Sequence, residues 1–168
     1  MKSLLYITKG FFLIMAKVFT NTIFYNQAQK VLAGISDEKR LFKLVLNNSK
    51  IKNMVIELNT EDQLYSKGID SLGNSLGSYS PVTIDIKRLK GQPTDRVTLK
   101  DTGDFYDTFK VDVREGEIVI TANTIKDQDD LIQKYGSDII GLTDDNLQKL
   151  IIFAKELYID YLLKLWRT

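Results

Sequence analysis

The chain has 168 residues, of which 43% are hydrophobic and 27% charged, a balance that excludes a mainly disordered protein. Cysteine and histidine are both absent, which excludes disulfides, a thiol nucleophile and cysteine-ligated metals, and removes the commonest general base. The 23 basic residues nearly cancel the 22 acidic ones, so there is no overall basic excess to favour a nucleic-acid partner.

The first nineteen residues are mostly apolar, and we predict that residues 1–19 form an N-terminal arm. Lys9 and Gly10 interrupt the apolar run, and no small-residue cleavage site follows it. The pattern therefore disfavours both a signal peptide and a membrane span. We expect the arm to pack on the core or to insert into a neighbouring subunit. Met15 also has the surroundings of a natural start, which would make the preceding residues an upstream extension.

Residues 20–168 are predicted to form a single domain that opens with helices. The first helix is expected over residues 20–33, and Gly34 would end it because glycine tolerates the left-handed conformation that follows a helix. Ser36 is expected to cap a second helix that extends to about Leu46. The acidic residues after this serine suit the positive end of the helix dipole.

A third helix is predicted to begin at Asn48 or Ser49 and to continue to about Tyr65. Its apolar residues recur at the i, i+3, i+4 and i+7 positions of a buried stripe, which we interpret as core: Ile51, Met54, Val55 and Leu58. Residues 67–80, which we call the glycine loop, contain three glycines and four serines. They are predicted to form a long loop, a kind of segment that often carries function.

Ser80 and Pro81 predict a short helix after the glycine loop, because serine caps helices and proline is favoured at the first helical position. Gly91 offers an end to this helix. Apolar residues also alternate between positions 82 and 86, which would suit a strand. We expect the helix and keep the strand as the alternative.

The best hairpin signal lies at residues 109–121. Apolar and polar residues alternate on both sides of Glu115 and Gly116, which is the pattern of two antiparallel strands around a glycine-containing turn. Residues 105–109 are expected to form a turn or short helix before the hairpin. Residues 123–135 are expected to form a polar loop and a short helix after it.

The last helix has the clearest signal in the chain. Thr143 is predicted to cap it, and apolar residues keep helical spacing from Leu147 to the C-terminus. The apolar arc is wider than the stripe of about 100° that a helix wet on one side needs, which favours packing on two sides, one of them against another subunit. The predicted architecture is therefore α+β: a small antiparallel sheet, the hairpin at about 109–121, packed with helices, and a long C-terminal helix.

Motifs for catalysis or cofactor binding fit the sequence poorly. The glycines of residues 68–73 have the spacing of a phosphate-binding P-loop, but Asn74 stands where that loop needs lysine. Acidic clusters at residues 127–130 and 144–145 lack the layout of a calcium loop. Asp70 together with Asn74 is only a slightly better candidate for a cation. We therefore predict no enzyme, no cofactor and no metal site.

Short motifs follow one another in a definite order between residues 63 and 165. GIDSLG at 68–73 leads to YSPVT at 79–83 and then to Lys87. VTLKDTGDF at 97–105 comes next, followed by FKV at 109–111 and by IGLTDD at 140–145 before the last helix. In this order the motifs resemble those of the tail-completion, or virion-morphogenesis, proteins of tailed bacteriophages.

The resemblance implies a structural virion protein of the neck or tail region. Such a subunit forms a ring with copies of itself at the head–tail connector or tail-completion ring and contacts adjacent portal, neck or tail proteins. DNA would pass only as cargo, and no active site, cofactor, small-molecule substrate or membrane partner is implied. Together with the last helix, the motifs give these assembly or loop candidates: Gly68, Asp70, Gly73, Tyr79, Thr102, Gly103, Phe105, Gly141, Thr143 and Trp166.

Two other function classes stay open as alternatives. A nucleic-acid-binding or regulatory adaptor would need a one-sided basic face and would bind in a salt-dependent way. A small carboxylate-dependent hydrolase would need two acids that face each other across a cleft. The sequence alone displays neither arrangement.

Overall fold

The computed structural model describes residues 23–36, 43–114, 117–126 and 129–167. Within these ranges the protein is α+β, with helices, a small antiparallel hairpin and a long C-terminal helix, which confirms the predicted fold class. The predicted arm, residues 1–19, lies outside the described residues.

The helices are α1 (Ile23–Ser36), α2 (Ser49–Glu57), a π-helix (Leu58–Lys67), α3 (Pro81–Leu89), α4 (Asp104–Asp107), α5 (Leu131–Tyr135), a 3-10 turn (Ser137–Ile139) and α6 (Asp144–Arg167). The strands are β1 (Lys110–Arg114), β2 (Glu117–Thr121), β3 (Ile125–Lys126) and β4 (Asp129–Asp130). Residues 43–46 are also helical. None of the helices in the described ranges is both long enough and apolar enough to cross a membrane.

The chain divides into two compact units. Among the described residues, one unit contains α1, residues 43–45 and the second half of α6, from Ala154 onward. The other unit runs from Leu46 to Phe153 and contains the remaining elements. All of the motifs that carry the phage resemblance, from the glycine loop to the start of α6, belong to this second unit.

Helix α1 extends further than predicted. It runs through Gly34 and ends at Ser36, so the expected stop at Gly34 is wrong. The start of the second helix, which Ser36 is predicted to cap, lies outside the described residues. Glycine permits the left-handed turn that ends many helices but does not impose it, because it also adopts helical dihedral angles. Of the predicted second helix, only residues 43–46 fall within the described ranges, and they are helical.

Helix α2 and the π-helix form one uninterrupted helical segment. The Asn48 side chain caps it by accepting a hydrogen bond from the backbone N–H of Lys50 at 2.9 Å. Ile51 and Val55 are fully buried, which confirms the predicted core stripe. The wider π geometry was not predicted. Gly68 ends the segment in the left-handed conformation, with φ 64°.

Helix α3 settles the choice between helix and strand for residues 81–89 in favour of the helix. Ser80 Oγ accepts a hydrogen bond from Thr83 N at 3.3 Å, and Pro81 occupies the first turn, where its missing N–H is not needed. Gly91, with φ 64°, follows the end of the helix as predicted.

Strands β1 and β2 form the predicted hairpin, with Val111 opposite Ile120 and Val113 opposite Ile118. Val111 is buried, and α2 packs against β1. After the hairpin, β3 and β4 form a short ladder that was not predicted. Helix α5 then provides the predicted short helix, capped by the Asp130 carboxylate at the N–H of Ile132.

A cluster of aromatic rings forms the best-defined core of the second unit. Phe105 and Phe109 lie 5.1 Å apart between ring centroids in an edge-to-face arrangement, and Tyr106 contacts both rings in the same way. Leu64 from the π-helix and Ile139 from the 3-10 turn complete the buried cluster. The core therefore joins the π-helix to the segments on either side of the hairpin.

Candidate functional site

Asp70 organises the glycine loop from within. Its Oδ1 accepts hydrogen bonds from the N–H groups of Leu72 and Asn74 at 2.9 and 2.8 Å, and its Oδ2 accepts one from the Asn74 amide at 3.2 Å. Asp70 is also buried. The carboxylate that the sequence offers as a candidate cation ligand therefore holds its own loop in a turn. Among the described residues, no group of three or more acids is arranged to hold a metal ion.

Gly68 and Gly141 lie where other chain segments come very close. A Cβ at Gly68 would be 2.9 Å from both the Arg96 Cβ and the Val97 carbonyl oxygen. A Cβ at Gly141 would be 3.0 Å from the Ser71 Cβ. Gly73 also has a positive φ, 82°, but nothing lies within 4 Å of its Cβ position. Two of these three candidate glycines are thus needed for close packing as well as for backbone conformation.

Tyr79 and Thr98 tie the end of the glycine loop to the next motif. The Tyr79 hydroxyl accepts a hydrogen bond from Thr98 N at 2.9 Å and lies 3.1 Å from the Thr98 Oγ1. The Tyr106 hydroxyl donates to the Thr98 carbonyl oxygen. Burial raises the pKa of Tyr106 far above its ordinary value, with the Glu61 charge as the next cause. This tyrosine is therefore a neutral, structural hydrogen-bond donor.

Lys87 is a buried cation close to the contact between Tyr79 and residues 97–101. Its Nζ donates to the Gln92 Oε1 at 2.7 Å and to the Lys100 carbonyl oxygen at 2.5 Å, and it lies 3.8 Å from an Asp101 carboxylate oxygen. The ammonium also lies 5.5 Å from the centre of the Tyr79 ring, within cation–π range. The buried face of α3 is thus anchored to residues 97–101 by a charge with hydrogen-bond partners.

Thr102 and Gly103 form the turn that leads into the aromatic cluster. Thr102 Oγ1 donates to the Asp104 carboxylate at 2.6 Å, and Gly103 stands at the cap position of α4 with φ 108°. Asp107 N donates to the Gly103 carbonyl oxygen at 3.0 Å. Phe105 is buried at the centre of the core. Thr102 and Gly103 therefore shape the turn, and Phe105 packs in the core.

Three fully buried amide residues, Asn59, Gln63 and Asn146, form what we call the amide clamp. The Asn59 side chain accepts from Gly141 N at 3.0 Å and donates to the Ile139 carbonyl oxygen at 3.2 Å. The Gln63 side chain donates to the Gly141 carbonyl oxygen at 2.9 Å and accepts from Thr143 N at 2.8 Å. The clamp holds the main chain of the IGLTDD motif against the π-helix.

Asn146 and Thr143 connect the amide clamp to α6. The Asn146 amide donates to the Leu58 carbonyl oxygen and to the Gln63 Oε1, both at 3.0 Å. The Thr143 Oγ1 accepts from Asn146 N at 3.3 Å, which confirms the predicted capping role of this threonine. Within the described part of the chain, every buried side-chain nitrogen or oxygen has a hydrogen-bond partner.

An open depression of about 360 Å³ lies along the π-helix and is lined by Met54, Glu57, Leu58, Glu61, Asp62 and Ser66. Glu61 pairs with Lys100 at 2.8 Å. Asp62 pairs with Lys67 at 2.8 Å and with Lys149 at 3.2 Å. Partial burial raises the pKa of Asp62, but hydrogen bonds that include those from the two lysines outweigh it and lower the pKa overall. This acid is therefore charged at neutral pH and engaged in ion pairs.

Most of the exposed large apolar side chains in the described ranges lie on α3 and α6. On α3 they are Val82, Ile86 and Leu89, and on α6 they are Leu147, Ile151, Ile152, Ile159 and Leu163. Trp166, the last of the candidate residues, lies in the final turns of α6 and is half-buried. Apolar helix faces that stay exposed in a single copy mark surfaces that another molecule can cover.

Sequence reasoning missed three features that define this region: the amide clamp, the burial of Lys87 and the outward apolar face of α3. The spacing of Val82, Ile86 and Leu89, which fits one helix face, was available in the sequence. However, the apolar residues that alternate between positions 82 and 86 also fit a strand. Nothing in the sequence marks Asn59, Gln63 or Lys87 as buried, because residues of these types are usually exposed.

Nine of the ten candidate residues, all except Trp166, fall into three groups by position. Gly68, Asp70, Gly73 and Tyr79 shape the glycine loop; Thr102, Gly103 and Phe105 shape the turn before the hairpin; Gly141 and Thr143 shape the start of α6. Ser71 of the glycine loop lies close to Gly141 at the start of α6. Tyr79 of the same loop accepts a hydrogen bond from Thr98, and Asn59 of the amide clamp accepts one from Gly141. Comparison with protein-family models, with curated proteins and with solved structures finds no significant match for this chain.

Proposed function

We propose that this chain is a structural virion protein of a tailed bacteriophage, a subunit of the head–tail connector or tail-completion ring that acts by oligomeric assembly. Its partners are copies of itself and the adjacent portal, neck or tail proteins, and its location is the neck or tail region of the virion. The order of the short motifs from the glycine loop to IGLTDD, which resembles that of tail-completion proteins, supports this proposal.

The distribution of polar and apolar side chains supports the proposal. Polar residues of the motifs, such as Asp70, Tyr79 and Lys87, are engaged with the chain's own backbone and side chains. These side chains set the shape of loops and turns. Large apolar side chains, in contrast, are exposed on α3 and α6. A chain with this arrangement suits a role in which contact area does the work.

The observation that carries the proposal is this exposed apolar helix surface in a chain with a formal net charge of only +1. A protein with little net repulsion and several exposed apolar side chains tends to associate. Repetition of one head-to-tail contact closes a ring when the rotation between neighbours allows it. A ring subunit is thus the form of assembly that we infer.

Mass measurement by sedimentation, combined with electron microscopy of the purified full chain, tests this function. We expect a discrete oligomer whose mass is a multiple of 19.2 kDa, with ring-shaped particles in the images. Antibodies against the chain should also label the neck or tail of virions whose genome encodes it. A single-chain mass at every concentration, together with unlabelled virions, would contradict the proposal.

A further inference from the structure

Helix α3 has its apolar side turned outward. Val82 is 70% exposed, Ile86 47% and Leu89 90%, and these residues follow the i, i+4, i+7 spacing of one helix face. We call them the α3 stripe. Lys87, on the opposite side of the helix, is only 5% exposed. The usual amphipathic arrangement is thus reversed, since a cation points inward and the aliphatic side chains point to solvent.

A second apolar stripe lies on the first two turns of α6. Leu147 is 43% exposed and Ile151 36%, one helical turn apart. We call this pair the α6 stripe. Asp144, which is also exposed, precedes Leu147 by three residues and lies at the edge of the same face. Because both stripes are exposed within one copy, they do not cover each other inside the chain.

We propose that the α3 stripe of one copy docks on the α6 stripe of the next copy, with the two helices antiparallel. Two different patches on one chain are what a head-to-tail contact requires, whereas a two-fold dimer uses one patch twice. The inference rests on the proposed function, because it names the surfaces through which the subunits of the ring would meet.

Charge complementarity favours both this occupant and this orientation. Lys90 follows Leu89 at the C-terminal end of α3, and its side chain is 45% exposed. The exposed side chains of Asp85 and Arg88 on the same helix pair with each other at 2.9 Å. In the antiparallel arrangement Lys90 faces Asp144, an opposite charge. In a parallel arrangement Lys90 would approach Lys155, a like charge, further along α6.

Lys90 is free to change partners at low cost. In a single copy its Nζ pairs with the Asp101 carboxylate at 2.5 Å, but both side chains are more than 40% exposed. Exposed pairs of this kind contribute little to stability, so exchange of Asp101 for Asp144 of a neighbour requires no large change within the subunit. The lysine then sets the direction of the contact while the apolar side chains provide its area.

The first test compares Leu89→Asp with Leu72→Asp in the full chain. Leu72 is 70% exposed in the glycine loop and lies outside both stripes, so it is a matched control for the effect of an exposed leucine-to-aspartate change. We expect Leu89→Asp to weaken assembly by about tenfold or more, since it places a charge on the most exposed apolar residue of the α3 stripe, within the contact. Leu72→Asp should leave the oligomer mass unchanged.

The second test mixes two defective variants. Leu89→Asp keeps an intact α6 stripe and Leu147→Asp keeps an intact α3 stripe, so a mixture of the two can form one good contact but not a closed ring. Sedimentation should find single chains in each sample alone and two-chain complexes in the mixture. Circular dichroism of each variant checks that it is folded. If Leu147→Asp assembles normally, the α6 stripe is not the acceptor and the inference is wrong.

A charge exchange tests the orientation. Lys90→Glu and Asp144→Lys should each weaken assembly, and the double variant should recover at least part of the loss. Failure to recover would contradict the antiparallel arrangement. If wild type forms rings that Leu89→Asp leaves intact, the inference fails while the proposed function stands. If wild type never assembles and is absent from virions, both fail.

Discussion

The side chains of Asn59 and Gln63 hold residues 139–143 through hydrogen bonds to their main chain, and the Asn146 amide donates to the Gln63 Oε1. A loop without a strand partner still needs partners for its buried N–H and C=O groups, because an unpaired buried polar group is costly. The amide clamp supplies these partners from side chains. Primary amides suit this task since each carries both a donor and an acceptor.

Gln63→Met tests the amide clamp at the scale of a single residue. The substitution keeps a side chain of similar length but leaves the Gly141 carbonyl oxygen and the Thr143 N–H without their partner. We expect a loss of about 2 kcal/mol in the free energy of unfolding, because two part-buried main-chain groups lose their hydrogen-bond partner and the two costs add up. Urea unfolding with an unchanged slope measures this loss.

Gln148→Met is the matched control for that measurement. Gln148 lies on α6, close to the clamp in sequence, but its side chain is exposed. The same chemical change there should alter the free energy of unfolding by no more than about 0.5 kcal/mol. Equal losses for the two variants would mean that the amide clamp does not stabilise the fold.

At the scale of elements, the end of the π-helix depends on Gly68. The residue adopts φ 64°, and its missing side chain lets residues 96–97 approach. We expect Gly68→Ala to lower the free energy of unfolding by about 3 kcal/mol, from backbone strain and from the clash with the Val97 carbonyl. Gly73→Ala, with positive φ but open space, should cost only about 1 kcal/mol. Thermal unfolding of the two variants measures these losses. Similar losses for both would show that the close approach of residues 96–97 to Gly68 does not affect stability.

At the scale of the whole molecule, the small net charge bears on how assembly responds to salt. The formal net charge is +1, and the proposed contact has an apolar centre and exchanges the Lys90–Asp101 pair of a single copy for one ion pair with Asp144 of the neighbour. Salt screens only the ion pair, so we expect the dissociation constant to change by no more than about threefold between low and moderate ionic strength. Sedimentation equilibrium in a series of salt concentrations measures this dependence.

Nucleic-acid binding would respond very differently. A protein that neutralises several phosphates loses affinity steeply as salt rises, because binding releases counterions. A gel retardation assay at low salt with duplex and single-stranded DNA therefore separates the two functions. Tight binding at low salt that disappears at moderate salt, with no effect of salt on the oligomer, would favour the adaptor alternative.

The sequence by itself determined where several elements lie, among them α3, the hairpin and the start of α6. Serine and proline at positions 80 and 81, Thr143 before α6, and the alternation around the hairpin act through contacts within a few residues, so they can be recognised locally. The prediction that the helix ends at Gly34 was wrong because it rested on a local preference alone, and the rest of the fold can override such a preference.

Only the tertiary structure decided which side of each element faces inward. Gln63 and Thr143 are 80 positions apart, yet their hydrogen bond belongs to the amide clamp. Lys87 turns inward because the Lys100 carbonyl and the Gln92 amide oxygen receive its ammonium, and α3 consequently presents Val82, Ile86 and Leu89 to solvent. Local periodicity can place these residues on one face of a helix. Which face is buried depends on the partners that distant parts of the chain provide.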